Sequence, residues 1–405
     1  MSLDGWVTGR PRRPAPPGPV EVPHPRTARD TGDLNCWLEI DRTAFENNIR
    51  CLQEVLGAES ALCLVMKADA YGHGLGLLMP SVIKLRVPAL GVTDNDEARI
   101  VRGAGFTGRL LRMRVAGRGE VEDGFAYGME ELLGNLENAR EMSELAGRRR
   151  RVLAYHLALN SGGMSRYGLE LAGRAGENDA LAILGLPHLR ITGLMTHFPV
   201  RAVEDDRRGL AAFLGEAGRV LARGGLARRQ VTLHCANSFA TLNVPEARLD
   251  MVRSGGLLYK PLASGAAGHP GFRSIAQFKS RVASVNAYPA GNTVSYDRTF
   301  TLARPSHLAS IPVGYSDGFR CLPRSRAAVL VRGRRVPVVG KGTMNTVMVD
   351  VTDHPEIRAG DEVVLYGRQG GEEISLDEFS RSLDCANWEE MATSIGNQNP
   401  KVLVG

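Results

Sequence analysis

The sequence predicts an α/β protein in two parts, a (β/α)8 barrel over residues 43–270 and a β-rich domain over 271–405. Two patterns carry that expectation. In the first part, short apolar runs alternate with amphipathic helical stretches, which is how parallel strands buried on both faces read. Beyond about Gly271 the chain turns to short strands punctuated by Gly and Pro, with Arg332-Gly-Arg334 shaped like a hairpin tip. A length of 405 residues suits one large domain plus a smaller one.

Taken in order, residues 1–35 read as a disordered leader. They hold Arg10, Arg12, Arg13 and several prolines between Pro11 and Pro25, with no apolar core of a signal peptide, so a cytoplasmic protein is expected. Cys36 to Ile40 reads as a strand, and residues 36–42 are expected to join the C-terminal domain. Thr43 with Glu46 fits a capping box, and Phe45, Ile49, Leu52 and Leu56 repeat at helical spacing until Gly57. Apolar runs follow at Ala61 to Met66, Ala89 to Val92, Leu110 to Val115, Val152 to Leu159, Ile191 to Thr196 and Val231 to Cys235. Helical stretches such as Asp96 to Arg102 and Leu210 to Arg223 separate them. Their number and even spacing, with no GxGxxG turn after the first strand, favour a closed barrel over an open sheet. Chemistry is then expected where strands end. In the second part, Phe278 to Val285, His307 to Val313, Ala327 to Val331, Val336 to Val339, Val347 to Val351 and Glu362 to Tyr366 read as strands.

Composition removes several classes. No apolar run reaches membrane-spanning length, and a hydrophobic fraction of 43% is that of a globular chain. The net charge of +6 has its densest run at Arg148 to Arg151, where no aromatic residues are interleaved for base stacking, so a solvated loop is expected and no nucleic-acid partner. The basic balance suits anionic substrates or cofactors. Six cysteines lie apart without CxxC spacing, so neither a metal site nor a disulfide framework is expected.

One lysine stands out. Val65-Met-Lys67-Ala-Asp-Ala-Tyr71-Gly-His73-Gly74 puts Lys67 at the end of an apolar strand, before a glycine-rich turn. Desolvation there would favour the neutral amine that condenses with an aldehyde. By itself such a lysine is more often an ordinary strand end.

The surrounding strings change that reading. The Lys67 segment resembles the lysine motif of the alanine racemase family, whose cofactor is pyridoxal 5'-phosphate (PLP). Further resemblances follow in the same order: Asn160-Ser-Gly-Gly-Met-Ser-Arg166, Met195-Thr-His197-Phe, His234-Cys-Ala-Asn-Ser238, Arg253-Ser-Gly-Gly256, Val294-Ser-Tyr296-Asp, Val313-Gly-Tyr315-Ser-Asp-Gly318 and Gly340-Lys-Gly-Thr-Met344-Asn345. They run from about Cys36 to the C-terminus. Leu159-Asn160-Ser, Ser238-Phe-Ala-Thr-Leu, Glu246 through Arg253, Tyr296 through Arg304 and Gly396-Asn397-Gln-Asn-Pro-Lys401 resemble the broad-specificity amino-acid racemase branch most.

The resemblance implies a racemase of free amino acids that works as a homodimer, with Lys67 binding PLP covalently and Tyr296 supplied by the other subunit. Removing a proton from one face of Cα and returning it to the other needs two opposed acid/base groups, as that pairing provides. It also implies that Arg253 holds the PLP ring nitrogen without surrendering a proton, and that His197 links Tyr296 to Arg253. Tyr71, Ser238, Gly255 and Gly256 would hold the phosphate. Asn397 would stand where many members have a tyrosine that narrows the entrance. Arg166 and the Met344 amide would meet the substrate carboxylate, with Tyr167 and Tyr315 nearby. Asn160 would replace a carbamylated lysine, with a chloride beside it. Three positions depart from the branch. Tyr167 replaces an asparagine, Cys63 faces Ala89 where the branch has a disulfide, and Tyr259-Lys260-Pro261 replaces a usual glycine. An alanine-specific racemase, a PLP decarboxylase of the same barrel and a non-catalytic PLP-binding protein are the alternatives; Tyr296 and the β-rich domain speak against the last two.

Overall fold

The computed structural model describes residues 26–27, 31–199, 202–261, 271–320, 327–385 and 387–405. Most of the expected leader falls outside these. The chain opens with strands β1 (Arg26–Thr27) and β2 (Cys36–Asp41), and helix Arg42–Leu56 follows. Its cap is Asp41, whose carboxylate accepts from the Ala44 amide at 2.8 Å, an interaction typically worth about 1 kcal/mol. The capping box of Thr43 and Glu46 does not form. Glu46 is buried and its carboxylate is taken by Lys84, Arg50 and Ser81. Gly57 ends the helix at φ +59°, where a side chain would be strained.

Eight parallel strands form the barrel: β3 (Ala61–Val65), β4 (Ala89–Val92), β5 (Arg109–Arg112), β6 (Glu131–Leu133), β7 (Leu153–Ala158), β8 (Leu189–Met195), β9 (Thr232–His234) and β10 (Met251–Ser254). Two four-stranded runs, β10-β3-β4-β5 and β6-β7-β8-β9, meet through the parallel bridge Leu111↔Glu130. The ring closes where the Asp250 and Arg253 amides donate to the Leu233 and Ala236 carbonyls. Strands β6 and β10 are absent from the apolar runs of the sequence because each carries a buried charge. Glu131 of β6 pairs with Arg112 of β5 at 2.7 Å, both side chains buried, and Arg253 sits on β10. Small residues make room for such groups. A Cβ on Gly193 of β8 would come within 2.0 Å of the His156 Nδ1.

The second part is built on one large sheet in the order β1-β21-β2-β11-β19-β16-β17-β18-β15-β12, with β11 (Ala276–Arg281), β12 (Ser284–Tyr288), β15 (Ser306–Ile311), β16 (Ala328–Val331), β17 (Arg334–Val339), β18 (Val347–Asp350), β19 (Glu362–Gln369) and β21 (Lys401–Val404); β20 (Glu372–Ile374) pairs with β19, and β13 (Thr293–Val294) and β14 (Phe300–Thr301) form a separate two-stranded ribbon. Strand β2 is antiparallel to β11 and parallel to β21, so residues 36–41 lie in this sheet. Between β16 and β17, Arg332 and Gly333 take φ of +51° and +72°, the hairpin geometry expected at that tip. Phe278, Tyr366, Phe379 and Phe319 stack in sequence with ring centroids 6.3, 5.4 and 5.5 Å apart. The chain is therefore a (β/α)8 barrel followed by a β-rich domain. Among the described residues no helix is long and apolar enough to cross a membrane.

Candidate active site

Lys67 follows directly on β3, at the end of a barrel strand where catalytic groups gather. The backbone after it is unusual. Ala68, Asp69, Ala70 and Tyr71 all take φ between +53° and +56°, one left-handed turn of non-glycine residues costing roughly 1–2 kcal/mol each. Three contacts hold it. The Asp69 carboxylate accepts from the Leu75 amide at 2.6 Å and pairs with Lys401 at 3.1 Å, while the Asp69 amide donates to Glu97 at 3.1 Å. The sequence shows this segment only as a glycine-rich turn. Burial, then the nearby Arg166 charge, lowers the Lys67 pKa below its ordinary value.

Lys67 shares a cavity of about 210 Å³ with Tyr71, His156, Arg166, Tyr167, His197, His234, Ser238, Arg253, Gly255, Gly256 and Glu389. Arg253 is 4% exposed, and what satisfies it is not a carboxylate. It donates to the Thr196 carbonyl at 2.8 Å, to the His234 carbonyl at 3.0 Å, to His234 Nδ1 at 2.6 Å and to His197 Nδ1 at 3.2 Å. Behind it runs a buried chain. His234 Nε2 lies 2.7 Å from His156 Nδ1, His156 Nε2 lies 2.8 Å from Glu130, and Arg109 and Thr192 close on the same carboxylate. The network sets the tautomers: Glu130 accepts from His156 Nε2–H, so His156 Nδ1 accepts from His234, and His234 Nδ1 accepts from Arg253. Burial and the neighbouring cations push His197 down to about 3 and hold His234 well below its usual value, so these rings are neutral. His197 is thus an uncharged ring. With Nδ1 engaged by Arg253, its Nε2 is left as a donor.

At the other end, the Ser238 hydroxyl accepts from the amides of Gly255 at 3.1 Å and Leu257 at 3.4 Å. A Cβ on Gly255 would lie 2.6 Å from the Tyr71 hydroxyl, so only glycine fits. Tyr71 is sandwiched between Tyr259, at 4.8 Å, and Trp388 of the C-terminal helix Trp388–Gln398, at 6.0 Å. Lys260 explains itself here. It is 6% exposed, its ammonium 2.8 Å from Asp377 and 5.3 Å over the Trp388 ring, so it clasps the barrel to the second domain.

Other expected site residues lie elsewhere. Tyr296, 68% exposed, follows β13 (Thr293–Val294) and precedes β14 (Phe300–Thr301), between Ser295 and Asp297 at φ +64° and +62°. Met344 and Tyr315 are also exposed, on loops joined by Ser316, whose amide and hydroxyl both donate to the Met344 carbonyl. None of these three lines the Lys67 cavity. Asn160 does not line it either: its amide donates to Glu170 at 2.9 Å and its carbonyl accepts from the Ser165 amide at 2.7 Å, shaping the loop that bears Arg166. An anion beside that amide would face the Glu170 carboxylate. Asn397 does not line the cavity either. Its neighbour Gly396 is pressed against the Gly72 backbone, where a Cβ would come within 1.9 Å, and one helical step turns Asn397 outward. From that helix it is Glu389 that lines the cavity and Trp388 that packs on Tyr71. Sequence reasoning also missed His156, Glu130 and Glu389, and of these only His156 left a trace, as the polar residue within the apolar run Val152 to Leu159. Cys63 and Ala89 are direct partners in the β3–β4 ladder, and Cys63 is a free thiol. Among the described residues no group of metal-ligating side chains occurs.

Comparison with known proteins agrees with this geometry. Residues 40–262 match the alanine racemase N-terminal domain and residues 275–403 the alanine racemase C-terminal domain. The chain is 49% identical to a broad specificity amino-acid racemase of Pseudomonas putida, over 100% of this chain and 97% of that protein. It is 45% identical to a lysine racemase of Proteus mirabilis, over 91% and 90% of the two chains. Among solved structures, the alanine racemase of a D-cycloserine-producing Streptomyces lavendulae superimposes with a TM-score of 0.81 at 28% identity, covering 91% of this chain and 97% of that one. The chain belongs to the alanine racemase family.

Proposed function

We propose that this chain is a PLP-dependent racemase of free amino acids, broad in specificity, whose active sites are completed across a homodimer. One observation carries the reading. The barrel mouth collects Lys67, His197 and Arg253 in a single cavity, while Tyr296 stands exposed on an outward-facing turn of the other domain.

The residues suit the cofactor. Ser238, Tyr71 and the glycines 255 and 256 form a cradle that a Cβ would fill, fit for a phosphate. Lys67 would bind PLP covalently, and Arg253 would donate to its ring nitrogen. PLP supplies a carbonyl carbon for the substrate amine and a conjugated ring that accepts electrons from Cα.

The chain's own groups do the rest. Lys67, made less basic by burial, takes or returns the Cα proton on one face. Tyr296 of a second copy does so on the other, its phenol receiving a hydrogen bond from the neutral His197 Nε2–H. A guanidinium does not part with its proton in this range, so Arg253 would hold the ring nitrogen by a hydrogen bond and leave it unprotonated. Arg166 receives the substrate carboxylate as a charge-assisted hydrogen bond, helped by the Met344 amide and Tyr315 of the second copy. Breadth of substrate is supported by the relatives that act on several amino acids or on lysine.

Incubating the holoenzyme with individual L-amino acids in D₂O tests this. Deuterium at Cα should appear together with the D-enantiomer. Exchange without inversion would place Tyr296 outside the reaction.

A further inference from the structure

We infer that Tyr167 is the positioning residue that turns Arg166 into a carboxylate receptor, and that its ring sets the size of side chain the cavity accepts. This rests on the racemase reading. Arg166 is exposed on the loop that leaves β7, and a free arginine side chain there has many rotamers to lose on binding a substrate. Tyr167 removes that freedom in two ways. Its hydroxyl accepts from Arg166 Nη2 at 2.6 Å, and its ring lies 4.5 Å beneath the guanidinium.

The tyrosine is itself fixed. Its ring packs on Leu132, Ala158 and Met195, an apolar cluster at the ends of β6, β7 and β8. Its carbonyl fills the space beside Gly134, where a Cβ would come within 1.8 Å. The next residues return to the barrel, with the Leu169 amide donating to Ala158 at 2.9 Å and the Asn160 amide to Leu169 at 2.8 Å. A rigid aromatic therefore stands between the barrel wall and the arginine, and it shares the cavity with Lys67 and His197. Its hydroxyl acts on the carboxylate of every substrate through Arg166. Its volume acts only on the side chain.

Two holoenzyme variants separate these effects, assayed with L-Ala, L-Met, L-Lys and L-Arg and with acetate and propionate as carboxylate probes. Tyr167→Phe keeps the ring and loses the hydroxyl. KM for all four amino acids and the inhibition constants of both probes should rise about five- to tenfold, with kcat within about twofold and the substrate order kept. Tyr167→Ala should add a change of order, the kcat/KM ratio of L-Arg to L-Ala rising at least about tenfold. A Tyr167→Phe enzyme with KM and inhibition constants unchanged would overturn the positioning role, and a Tyr167→Ala enzyme with the wild-type ratio would overturn the size role. A wild-type enzyme inactive on all four substrates would instead refute the racemase reading.

Discussion

The barrel mouth and the outer turns of the β-rich domain divide the proposed chemistry unequally. From the barrel mouth down into its interior, Arg253, His234, His156 and Glu130 are packed into a continuous chain of hydrogen bonds, each partner satisfied within the same chain. On the outer turns, Tyr296, Tyr315, Met344 and Phe300 are held on stitched loops yet present their side chains outward. On the proposed reading, one half of the site is finished by folding, whereas the other is shaped by folding and left for association. Burying four large apolar side chains is favourable at about 25 cal/mol per Å² of apolar surface, which gives a second copy a reason to dock there.

Mixing subunits breaks this division most directly. Lys67→Ala should lose the covalently held cofactor, seen as loss of visible absorbance after dialysis, together with all racemisation. Tyr296→Phe should keep that absorbance and lose roughly 10²–10⁴-fold in turnover. Each variant alone is inactive, but in a hybrid dimer one site regains both wild-type groups, so an equal mixture should recover about a quarter of wild-type activity. No recovery in confirmed hybrids would mean that the site lies within one chain.

Removing Glu130 probes the buried half. Glu130→Ala removes the carboxylate shared by Arg109, His156 and Thr192, and a loss of about 3–5 kcal/mol is expected from the urea midpoint. A cost below about 1 kcal/mol would show that the chain behind Arg253 is not tightly coupled. The buried histidines should also make the protein acid-labile. Burial holds His73 at about 4 and His197 at about 3, beneath the usual 6.5. Below about pH 6.5 the unfolded chain takes up protons that the folded rings refuse, so stability falls as pH drops toward the folded values. Each ring contributes up to about 1.4 kcal/mol per pH unit in that window. The urea midpoint should therefore be lower at pH 5 than at pH 7.5; equal midpoints would contradict neutral buried rings.

Smaller effects are expected away from both halves. Lys260→Met breaks the pair with Asp377 and the contact with Trp388, for about 1–2 kcal/mol and a lower melting temperature. Dithiothreitol should leave the melting temperature unchanged, since Cys63 faces Ala89 in the ladder. A downward shift would reveal a disulfide elsewhere.

Much of the architecture was legible. Six of the eight barrel strands announce themselves as apolar runs, because a strand buried on both faces has little room for polar residues. The two that do not, β6 and β10, bear Glu131 and Arg253, whose buried charges are tolerable only because Arg112 and the His234 side chain meet them from the neighbouring strands β5 and β9. The cap of the first helix went to Asp41 and not Thr43, a shift of two residues that propensity cannot resolve. In the site, Lys67 could be suspected from its strand-end position. The exposure of Asn397 could not, since the packing of Gly396 on Gly72 decides which way that helix turns.

By itself, then, the amino-acid order determined the alternation of strands and helices, the change of character near Gly271 and the strand-end lysine, since burial periodicity is a local property of the chain. Tertiary structure alone decided the left-handed turn after Lys67, the neutral histidines behind Arg253 and the outward face of Tyr296. Those depend on groups tens to hundreds of residues apart, which meet, and lose their water, only when the barrel closes.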